Sequence, residues 1–314
     1  MALSFVTDPV TVRVPATSAN LGPGFDALGL ALALYDHVTG RVTDDGCTVT
    51  VTGQGAGELP DGAEHLVARS AYAAFDLLGA RPPGLALACE NRIPQARGLG
   101  SSSAAIVAGI EVARSLVAGG RELMDDAAAL RLANELEGHP DNVAPCLLGG
   151  FTIAWTDGSG AHAVRLAPAA DVHPTVFVPE LRGLTAHARA ALPAEVPHAD
   201  AARNAGRSAL LVHALTAAPE LLLPATEDRL HQDYRAPGMP ESAALVRRLR
   251  AAGVAAVISG AGPTVLALTQ VPGDFEAGEG WSATPITVDS GGADLSSSTL
   301  GHAERYTIAA GRKS

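Results

Sequence analysis

Lysine is almost absent from the sequence, since Lys313 is the only one in 314 residues. A Walker A phosphate loop is therefore excluded, because its Gly-Lys-Ser/Thr core requires a lysine. Positive charge is scarce overall: 33 acidic residues outnumber 22 basic ones, and the formal net charge is −11. Nucleic acids and anionic membranes bind to basic surfaces, so neither is expected as a partner. A phosphate site in this chain must be built locally, from backbone N–H groups, a helix N-terminus and single arginines.

Cysteine is also rare. The chain has three cysteines, Cys47, Cys89 and Cys146, and no Cys-x-x-Cys pair. An odd number without that spacing argues against a disulfide framework or a structural zinc site, and it predicts a reducing, cytoplasmic location. The N-terminus lacks the basic start and apolar stretch of a signal peptide. No apolar run reaches the roughly 18 residues of a membrane span, so no membrane partner is expected.

Strand-like and helical hydrophobic patterns follow one another along the chain. Strands are predicted at residues 10–14, 28–35, 48–51, 85–90 and 176–178, with a hairpin at 255–259 and 265–268. Helices are predicted at residues 64–78, 101–117, 125–137, 204–215 and 242–252. This mixed order predicts an α+β fold rather than a regular βαβ winding. A Gly/Asp-rich stretch at residues 157–160 marks the predicted boundary between domains 1–160 and 161–314.

Residues 94–105, PQARGLGSSSAA, form a glycine-rich loop that leads into a predicted helix. Gly98 and Gly100 allow the backbone to approach a ligand closely. The N-terminus of the helix directs free N–H groups and a positive dipole end toward an anion such as phosphate. Three serine hydroxyls stand beside it. The alternative is an ordinary helix that is N-capped by serine.

Two further glycine-rich segments accompany this loop. One is PATSANLGPGFD at residues 15–26, and the other is ISGAGPT at residues 258–264, which by itself reads equally as a hairpin turn. In type and in chain order, the three segments resemble the three sequence motifs of the GHMP kinase superfamily. The resemblance extends from residue 15 to residue 264 and so covers most of the chain.

The resemblance implies a two-domain α+β fold with ATP bound between the domains. The N-terminal domain would be ribosomal S5-like, with a left-handed βαβ crossover, and the C-terminal domain would be ferredoxin-like. His65 stands where many relatives carry an asparagine that contacts adenine. The residues expected to bind the nucleotide are His65, Pro94, Gln95, Ala96, Arg97, Gly98, Leu99, Gly100, Ser101, Ser102, Ser103 and Ala104.

Four segments resemble one family within that superfamily, the homoserine kinases. They are SANLGPGFD (18–26), EGHPDNVAP (137–145), a Thr-x-x-x-Arg pattern before Leu-Pro (185–193) and a His-x-x-x-Arg pattern (231–235). The resemblance implies transfer of the ATP γ-phosphoryl group to the hydroxyl of L-homoserine, a step of threonine biosynthesis. Asp26 would pair with the substrate ammonium group, and two arginines would clamp its carboxylate. The implied substrate-binding residues are Asn20, Asp26, Asn142, Thr185, Arg189 and Arg235.

The same resemblance implies a Mg²⁺ ion held by Ser102 and a glutamate, since Mg²⁺ prefers oxygen ligands. Glu137 is the predicted glutamate, and Glu135 is the alternative because the spacing to Asp141 varies among relatives. Asp141 and Arg189 are the candidate catalytic residues. Asp141 is either the general base or a support for its loop.

Some GHMP kinases pair an aspartate with an N-terminal lysine, and this chain has no such lysine. We therefore hypothesise catalysis largely without a strong protein base. The family also predicts a homodimer. The competing interpretations are a GHMP kinase for another alcohol, such as mevalonate or a sugar, and an inactive regulator with the same fold. The two arginines favour an acceptor that carries a carboxylate.

Overall fold

A computed structural model of the protein describes residues 3–183 and 185–295. Eleven strands are present in these ranges: β1 (Val10–Ala19), β2 (Leu28–Thr43), β3 (Cys47–Gly53), β4 (Gly84–Asn91), β5 (Phe151–Asp157), β6 (Gly160–Leu166), β7 (Thr175–Pro179), β8 (Ala256–Ile258), β9 (Val265–Ala267), β10 (Trp281–Pro285) and β11 (Asp294–Leu295). They form two sheets.

The helices of the same ranges are α1 (Leu66–Leu78), α2 (Ser101–Leu116), α3 (Gly120–Leu123), α4 (Asp126–Glu137), α5 (Pro140–Leu148), α6 (Thr185–Ala190), α7 (His198–Thr216), α8 (Leu222–Ala225), α9 (Gln232–Arg235) and α10 (Pro240–Ala251). Short 3₁₀ turns occur at Pro219–Leu221 and Ala236–Gly238. Among the described residues, no helix has the length and apolar character to cross a membrane. The α+β class predicted from the sequence is confirmed.

The first sheet has seven strands and holds the N-terminal half of the chain together. Its order is β11-β1-β2-β4-β3, and β5 pairs with both β2 and β6. β3 and β4 run parallel, with α1 as the connection between them, whereas the other pairs are antiparallel. The left-handedness of this crossover stays a prediction.

The second sheet is antiparallel, with the order β10-β7-β9-β8. The hairpin predicted from residues 255–268 is its β8–β9 pair. The predicted domain boundary at residues 157–160 lies in the turn between β5 and β6, which belong to the first sheet. The chain passes from the first sheet to the second between Leu166 and Thr175.

The main core lies between the first sheet and the helices that cover it. α2 is apolar on nearly all sides, because it packs against α1, α4, α5 and strands β1 and β2. A helix in this position needs few charged residues, and small side chains let its neighbours approach. This packing holds the N-terminus of α2 at the edge of the sheet, where the glycine-rich loop precedes it.

Pattern analysis of the sequence did not identify β5, β6 or α5. β5 pairs with a distant partner in β2 as well as with β6, and α5 contains Pro145 and begins at Pro140. Proline in the first turn of a helix is well tolerated because no N–H is needed there. A second proline inside a helix of nine residues hides the periodic signal.

Gly109 offers a test of the contact between α1 and α2. A Cβ at this position would overlap the carbonyl oxygen of Val67 and lie 2.8 Å from the Ser70 Cβ. Alanine normally stabilises a helix relative to glycine by about 1 kcal/mol. We expect Gly109→Ala instead to lower the free energy of unfolding in urea by about 1–3 kcal/mol, because it overpacks the core.

Gly206→Ala is the matched control. Gly206 lies inside α7, and a Cβ there would meet no atom within 4 Å. This substitution should stabilise the protein by roughly 0.5–1 kcal/mol. Equal stabilisation by both substitutions would contradict the close packing of α1 on α2.

Candidate active site

The three glycine-rich segments meet at one cavity of about 450 Å³. Its wall also receives side chains from β2, α1, α4, α5, α6 and α9, so both halves of the chain contribute. Among the lining residues are Asn20, Asp26, Asp36, His65, Gln95, Ala96, Gly98, Gly100, Ser101, Ser102, Ala104, Glu137, His139, Asp141, Asn142, Arg189, Arg235 and Gly260. A concave site with a few converging polar groups is the usual form of a small-molecule site.

The loop before α2 is held in a left-handed conformation at alternate residues. The φ angles of Ala96, Gly98 and Gly100 are +53°, +77° and +71°. Gly100 is the N-cap of α2, and no side chain caps this helix end. The serines therefore occupy the first turn rather than the cap, which contradicts the alternative of a helix N-capped by serine. The first N–H groups of α2 remain free to bind an anion.

The loop is tied to the other two glycine-rich segments by hydrogen bonds. The Ser259 hydroxyl donates to the Gly98 carbonyl over 2.6 Å. The Thr17 N–H donates to the Leu99 carbonyl over 3.0 Å, and the Thr264 N–H donates to the Arg97 carbonyl over 3.1 Å. Since a Cβ at Gly98 would overlap the carbonyl oxygen of Ser259, only glycine fits there. The three segments thus form one continuous wall of the cavity.

Glu137 ends α4 beside the first turn of α2. The hydroxyls of Ser102 and Ser103 both donate to its Oε1, over 2.7 and 2.8 Å. Ser102 and Glu137 line the cavity, whereas Ser103 is fully buried behind them. Glu135 is exposed one half-turn away and does not line the cavity. Of the two glutamates considered from the sequence, the structure brings Glu137 to the loop.

A carboxylate and two hydroxyls suit a Mg²⁺ ion, which prefers oxygen ligands and often takes only one or two from the protein. The remaining positions are then filled by water and by phosphate oxygens of a substrate. Among residues 3–183 and 185–295, no group of three or more His, Cys, Asp or Glu side chains is arranged to hold a metal. The donors present therefore fit Mg²⁺ only in company with a phosphate ligand.

The turn after α4 carries two titratable residues. His139 Nδ1 and Asp141 Oδ1 share a hydrogen bond of 2.8 Å, and Asp141 is only 2% exposed. This hydrogen bond raises the pKa of His139 above its usual value. In the first turn of α5, Asn142 Oδ1 accepts a hydrogen bond from the Thr17 hydroxyl over 2.9 Å. The expected substrate contact Asn142 is thus oriented by the strand that carries the first motif.

Asn20 and Asp26 are held together between β1 and β2. Asn20 Oδ1 accepts from the Asp26 N–H, and Asn20 Nδ2 donates to the Gly260 carbonyl, each over 2.9 Å. Both residues have positive φ, +67° and +55°. Asparagine and aspartate tolerate this conformation better than most residues. Asn20 therefore joins the first and third motifs and sets the position of the Asp26 carboxylate.

Arg189 from α6 forms a bidentate ion pair with Asp26. Its Nη1 and Nη2 donate to Oδ2 and Oδ1 over 3.0 and 2.8 Å. The hydrogen bonds to Asp26 raise the pKa of Arg189. Both side chains are partly exposed, with 45% and 36% of their surface accessible. Two residues predicted to bind opposite ends of an amino acid are thus paired with each other.

Arg235 lies deeper and lacks such a partner. It is 3% exposed, and its Nε donates to the Ala188 carbonyl over 3.0 Å. Its Nη1 approaches His231 Nδ1 and the Gly260 carbonyl at 3.3 and 3.4 Å. Within the described part of the chain, no carboxylate pairs with it and Nη2 makes no hydrogen bond. Burial lowers its pKa. The carboxylates of Asp26, Asp228 and Asp141 favour its charge from a distance, but a buried cation without a directly paired anion is costly.

Phe25 lies beside both arginines. The guanidinium carbons of Arg189 and Arg235 lie 5.6 and 5.3 Å from its ring centroid. The His231 ring stacks on the Phe25 ring at 5.2 Å between centroids. An aromatic face attracts cations at this distance. Phe25 therefore helps to hold two like charges near each other.

Not every residue expected at the nucleotide site faces the cavity. Pro94, Arg97, Leu99 and Ser103 do not line it. Arg97 points away and donates to the carbonyls of Pro179, Gln95 and Glu180, and burial lowers its pKa. Leu99 is part of the hydrophobic core. Thr185 begins α6, and its side chain lies outside the described part of the structure.

Two residues of the site were not identified from the sequence. Thr17 is buried behind the cavity and orients Asn142; it lies within the first motif, so closer attention to that motif would have found it. Asp36 lines the cavity from β2, and its Oδ1 accepts the N–H groups of Arg92 and Ile93 over 2.6 and 2.9 Å. A single aspartate in an apolar strand is visible in the sequence, but its position at the cavity is not.

Two stretches of the chain match the sequence models of one superfamily. Residues 65–150 match the GHMP kinases N terminal domain, and residues 201–278 match the GHMP kinases C terminal region. Two curated relatives, from Streptomyces avermitilis and Streptomyces coelicolor, are each named homoserine kinase. They are 60% and 59% identical over 296 residues, which span 93% of this chain and 97% and 96% of the relatives.

The fold is also similar to solved structures. The crystal structure of a homoserine kinase from Cytophaga hutchinsonii superposes with a TM-score of 0.78 at 28% identity, covering 94% of this chain and 99% of that chain. The similarity therefore extends over nearly the whole of both chains.

Proposed function

The chain belongs to the homoserine kinases of the GHMP kinase superfamily, and we propose that the cavity between its three glycine-rich segments carries out their reaction. That reaction transfers the γ-phosphoryl group of ATP to the hydroxyl oxygen of L-homoserine, a step of threonine biosynthesis. A bond forms between this oxygen and the γ-phosphorus, the bond to the β–γ bridging oxygen breaks, and the hydroxyl proton is released. Phosphoryl transfer depends mainly on positioning and on stabilising negative charge.

The observation that carries the assignment of the acceptor site is the buried, unpaired Arg235. A guanidinium in this state is stabilised by a carboxylate ligand. Arg189 and Asp26 lie within the same cavity, one cationic and one anionic. A zwitterionic amino acid supplies both complementary charges, whereas a neutral sugar supplies neither and mevalonate supplies only the carboxylate.

In the proposed binding event, the substrate replaces the ion pair between Asp26 and Arg189. The ammonium group of homoserine binds to Asp26, and the carboxylate of homoserine binds to Arg189 and Arg235. The pair is partly exposed, so its loss costs less than about 1 kcal/mol. Because both partners find a new opposite charge, only a ligand with both charges compensates the exchange. Asn20, Asn142 and Thr185 complete the proposed substrate site.

The proposed phosphate site is the loop of residues 96–100 with the uncapped start of α2. Free backbone N–H groups there stabilise negative charge without any lysine. We propose Ser102 and Glu137 as Mg²⁺ ligands. The ion, when bound, neutralises charge on the β- and γ-phosphates. Ser103, hydrogen-bonded to the same oxygen of Glu137, orients that carboxylate.

Asp141 is the candidate base and lines the same cavity as the acceptor residues. We propose that it acts chiefly by orienting His139 and the start of α5. Its carboxylate is already engaged by His139. Arg189 is proposed as the catalytic cation that also positions the acceptor.

We also propose that the protein is a homodimer located in the cytoplasm. The three cysteines are free thiols, in keeping with a reducing compartment.

The function is tested by ADP release with Mg-ATP and a panel of L-homoserine, mevalonate, galactose and L-threonine. We expect ADP formation only with L-homoserine, and we expect ADP formation to stop when EDTA is added.

An Arg235→Ala variant should raise the KM for homoserine about 10- to 100-fold, which corresponds to about 1.5–3 kcal/mol for a charged hydrogen bond. The KM for ATP should hardly change.

Arg250→Ala is the control for Arg235. Arg250 is a partly buried arginine that donates to Thr226 Oγ1 and to the Leu223 carbonyl outside the cavity. Its loss should lower stability and leave both KM values unchanged. Equal damage to ATP and homoserine binding by Arg235→Ala would contradict the proposed clamp.

The metal site is tested by Glu137→Gln. The amide oxygen can still accept from the two serines, so the fold should persist while the charge is lost. We expect a Mg²⁺ requirement raised at least about tenfold and weaker Mn²⁺ binding to the nucleotide complex, measured by electron paramagnetic resonance. Glu135→Gln, a matched change on the exposed side of α4, should behave as the wild type. The reverse pattern would make Glu135 the ligand.

The role of Asp141 is tested by Asp141→Asn. If catalysis needs no strong protein base, kcat should fall by less than about tenfold, and the pH profile of kcat should keep its shape. A loss of about 10²–10⁴ in kcat with an unchanged melting temperature would instead identify Asp141 as the general base.

A further inference from the structure

His231 precedes α9 and is completely buried, and it does not line the cavity. Its Nε2 lies 2.8 Å from the Gly22 carbonyl oxygen. A carbonyl oxygen only accepts hydrogen bonds, so the ring carries a proton on Nε2. In the neutral ring Nδ1 then has a lone pair, and Arg235 Nη1 donates to it over 3.3 Å. The two hydrogen bonds of the ring thus determine its tautomer.

The charged groups around this ring act in both directions. Asp228 Oδ2 lies 3.7 Å from Nε2, and Arg235 faces Nδ1. Burial lowers the pKa of His231, and so does Arg235, whereas Asp228, Asp26 and the hydrogen bond to Gly22 act in the opposite direction. Because the net effect is a lowered pKa, the ring is neutral at pH 7 and Nδ1 stays an acceptor.

The groups that accept hydrogen bonds from Arg235 are all uncharged in the described part of the chain. They are the carbonyl oxygens of Ala188 and Gly260 and Nδ1 of His231. A carboxylate in the place of any of them would neutralise the guanidinium and compete with an anionic ligand. Uncharged acceptors instead fix the direction of the guanidinium and preserve its positive charge. The imidazole is the only side chain of the three, so it is the acceptor that a substitution can remove.

The same ring supports the turn that carries Asp26. The Phe25 ring stacks on the His231 ring at 5.2 Å between centroids, with 30° between the ring planes. Gly22, in the same turn, accepts the proton of Nε2. His231 therefore contacts both the buried arginine and the segment that holds the anionic residue of the acceptor site.

We propose that His231 is a positioning residue of the acceptor site, and that its neutral Nδ1 directs Arg235 toward the carboxylate of the amino acid. Nη1 of Arg235 is held by His231 and Nε by the Ala188 carbonyl, so Nη2 remains for the ligand. His231 itself does not touch the substrate. This inference rests on the proposed acceptor site and adds the residue that orients its clamp.

Two substitutions separate the hydrogen bonds of the ring. The His231→Gln side chain can still donate to the Gly22 carbonyl, but it has no acceptor at the place of Nδ1. The His231→Asn side chain brings its amide oxygen near that place and can accept from Arg235. We expect His231→Gln to raise the KM for homoserine about 5- to 20-fold, since a hydrogen bond to a charged group is lost. The kcat and the KM for ATP should change by less than about twofold, and His231→Asn should stay within about threefold of the wild-type KM for homoserine.

A double-mutant cycle with Arg235→Ala distinguishes positioning from general packing. If His231 acts through Arg235, adding His231→Gln to Arg235→Ala should raise the KM for homoserine by less than about twofold further. A role in general packing would instead multiply the two effects in full. The melting temperature of each variant shows whether it is folded. A second cycle with His231→Phe, which keeps the stack on Phe25 and loses both hydrogen bonds, gives the same test if His231→Gln is unstable.

His213→Gln is the matched control. His213 is an exposed histidine of α7 and does not line the cavity. This substitution should leave both KM values and the melting temperature unchanged.

Three results would overturn the inference. They are full multiplication of the effects in the cycle, an unchanged KM for homoserine in His231→Gln, and an equal rise of the KM values for ATP and homoserine in that variant. Absence of homoserine phosphorylation by the wild type is a different outcome, because it would reject the proposed function itself.

Discussion

The close contact between the loop of residues 96–100 and the two other glycine-rich segments is the constraint on which the rest of the structure depends. At Gly98 the backbone lies so near Ser259 that no side chain fits, and carbonyl groups on both sides of it are hydrogen-bonded to the first and third segments. The same contacts leave the start of α2 uncapped and facing the cavity. The proposed phosphate site is thus formed by backbone geometry, in a chain that has a single lysine.

A small number of charged side chains sets the electrostatics of the cavity. The protein is acidic overall, yet two arginines lie beside the Phe25 ring. One is paired with Asp26, and the other is buried without a paired carboxylate in the described part of the chain. Glu137 receives two serine hydroxyls in the first turn of α2. Arg189 and Asp26 are thus paired with each other, and Arg235 and Glu137 line the same cavity.

Much of the fold and of the site could be predicted from the sequence. Long amphipathic segments such as α1, α2 and α4 show their period directly, and their predicted bounds differ by one or two residues from the observed ones. β5 and α5 could not be predicted in this way, because the β2 partner of β5 is distant in the chain and prolines interrupt the helix. Within the site, the motif around Gly98 identified the loop, but Arg97 and Leu99 turn toward the second sheet and the core.

By itself, the sequence determined the α+β class, the order of the three glycine-rich segments and the family, because these reside in local patterns and in strings of residues. Only the tertiary structure decided which of two nearby glutamates meets the serines, that Arg235 is buried without a carboxylate partner among the described residues, and that Asp36 and His65 line the same cavity. Each of these depends on distances between residues that are far apart in the chain. Burial then changes the energy of a charge or an unpaired donor, and no local pattern contains that information.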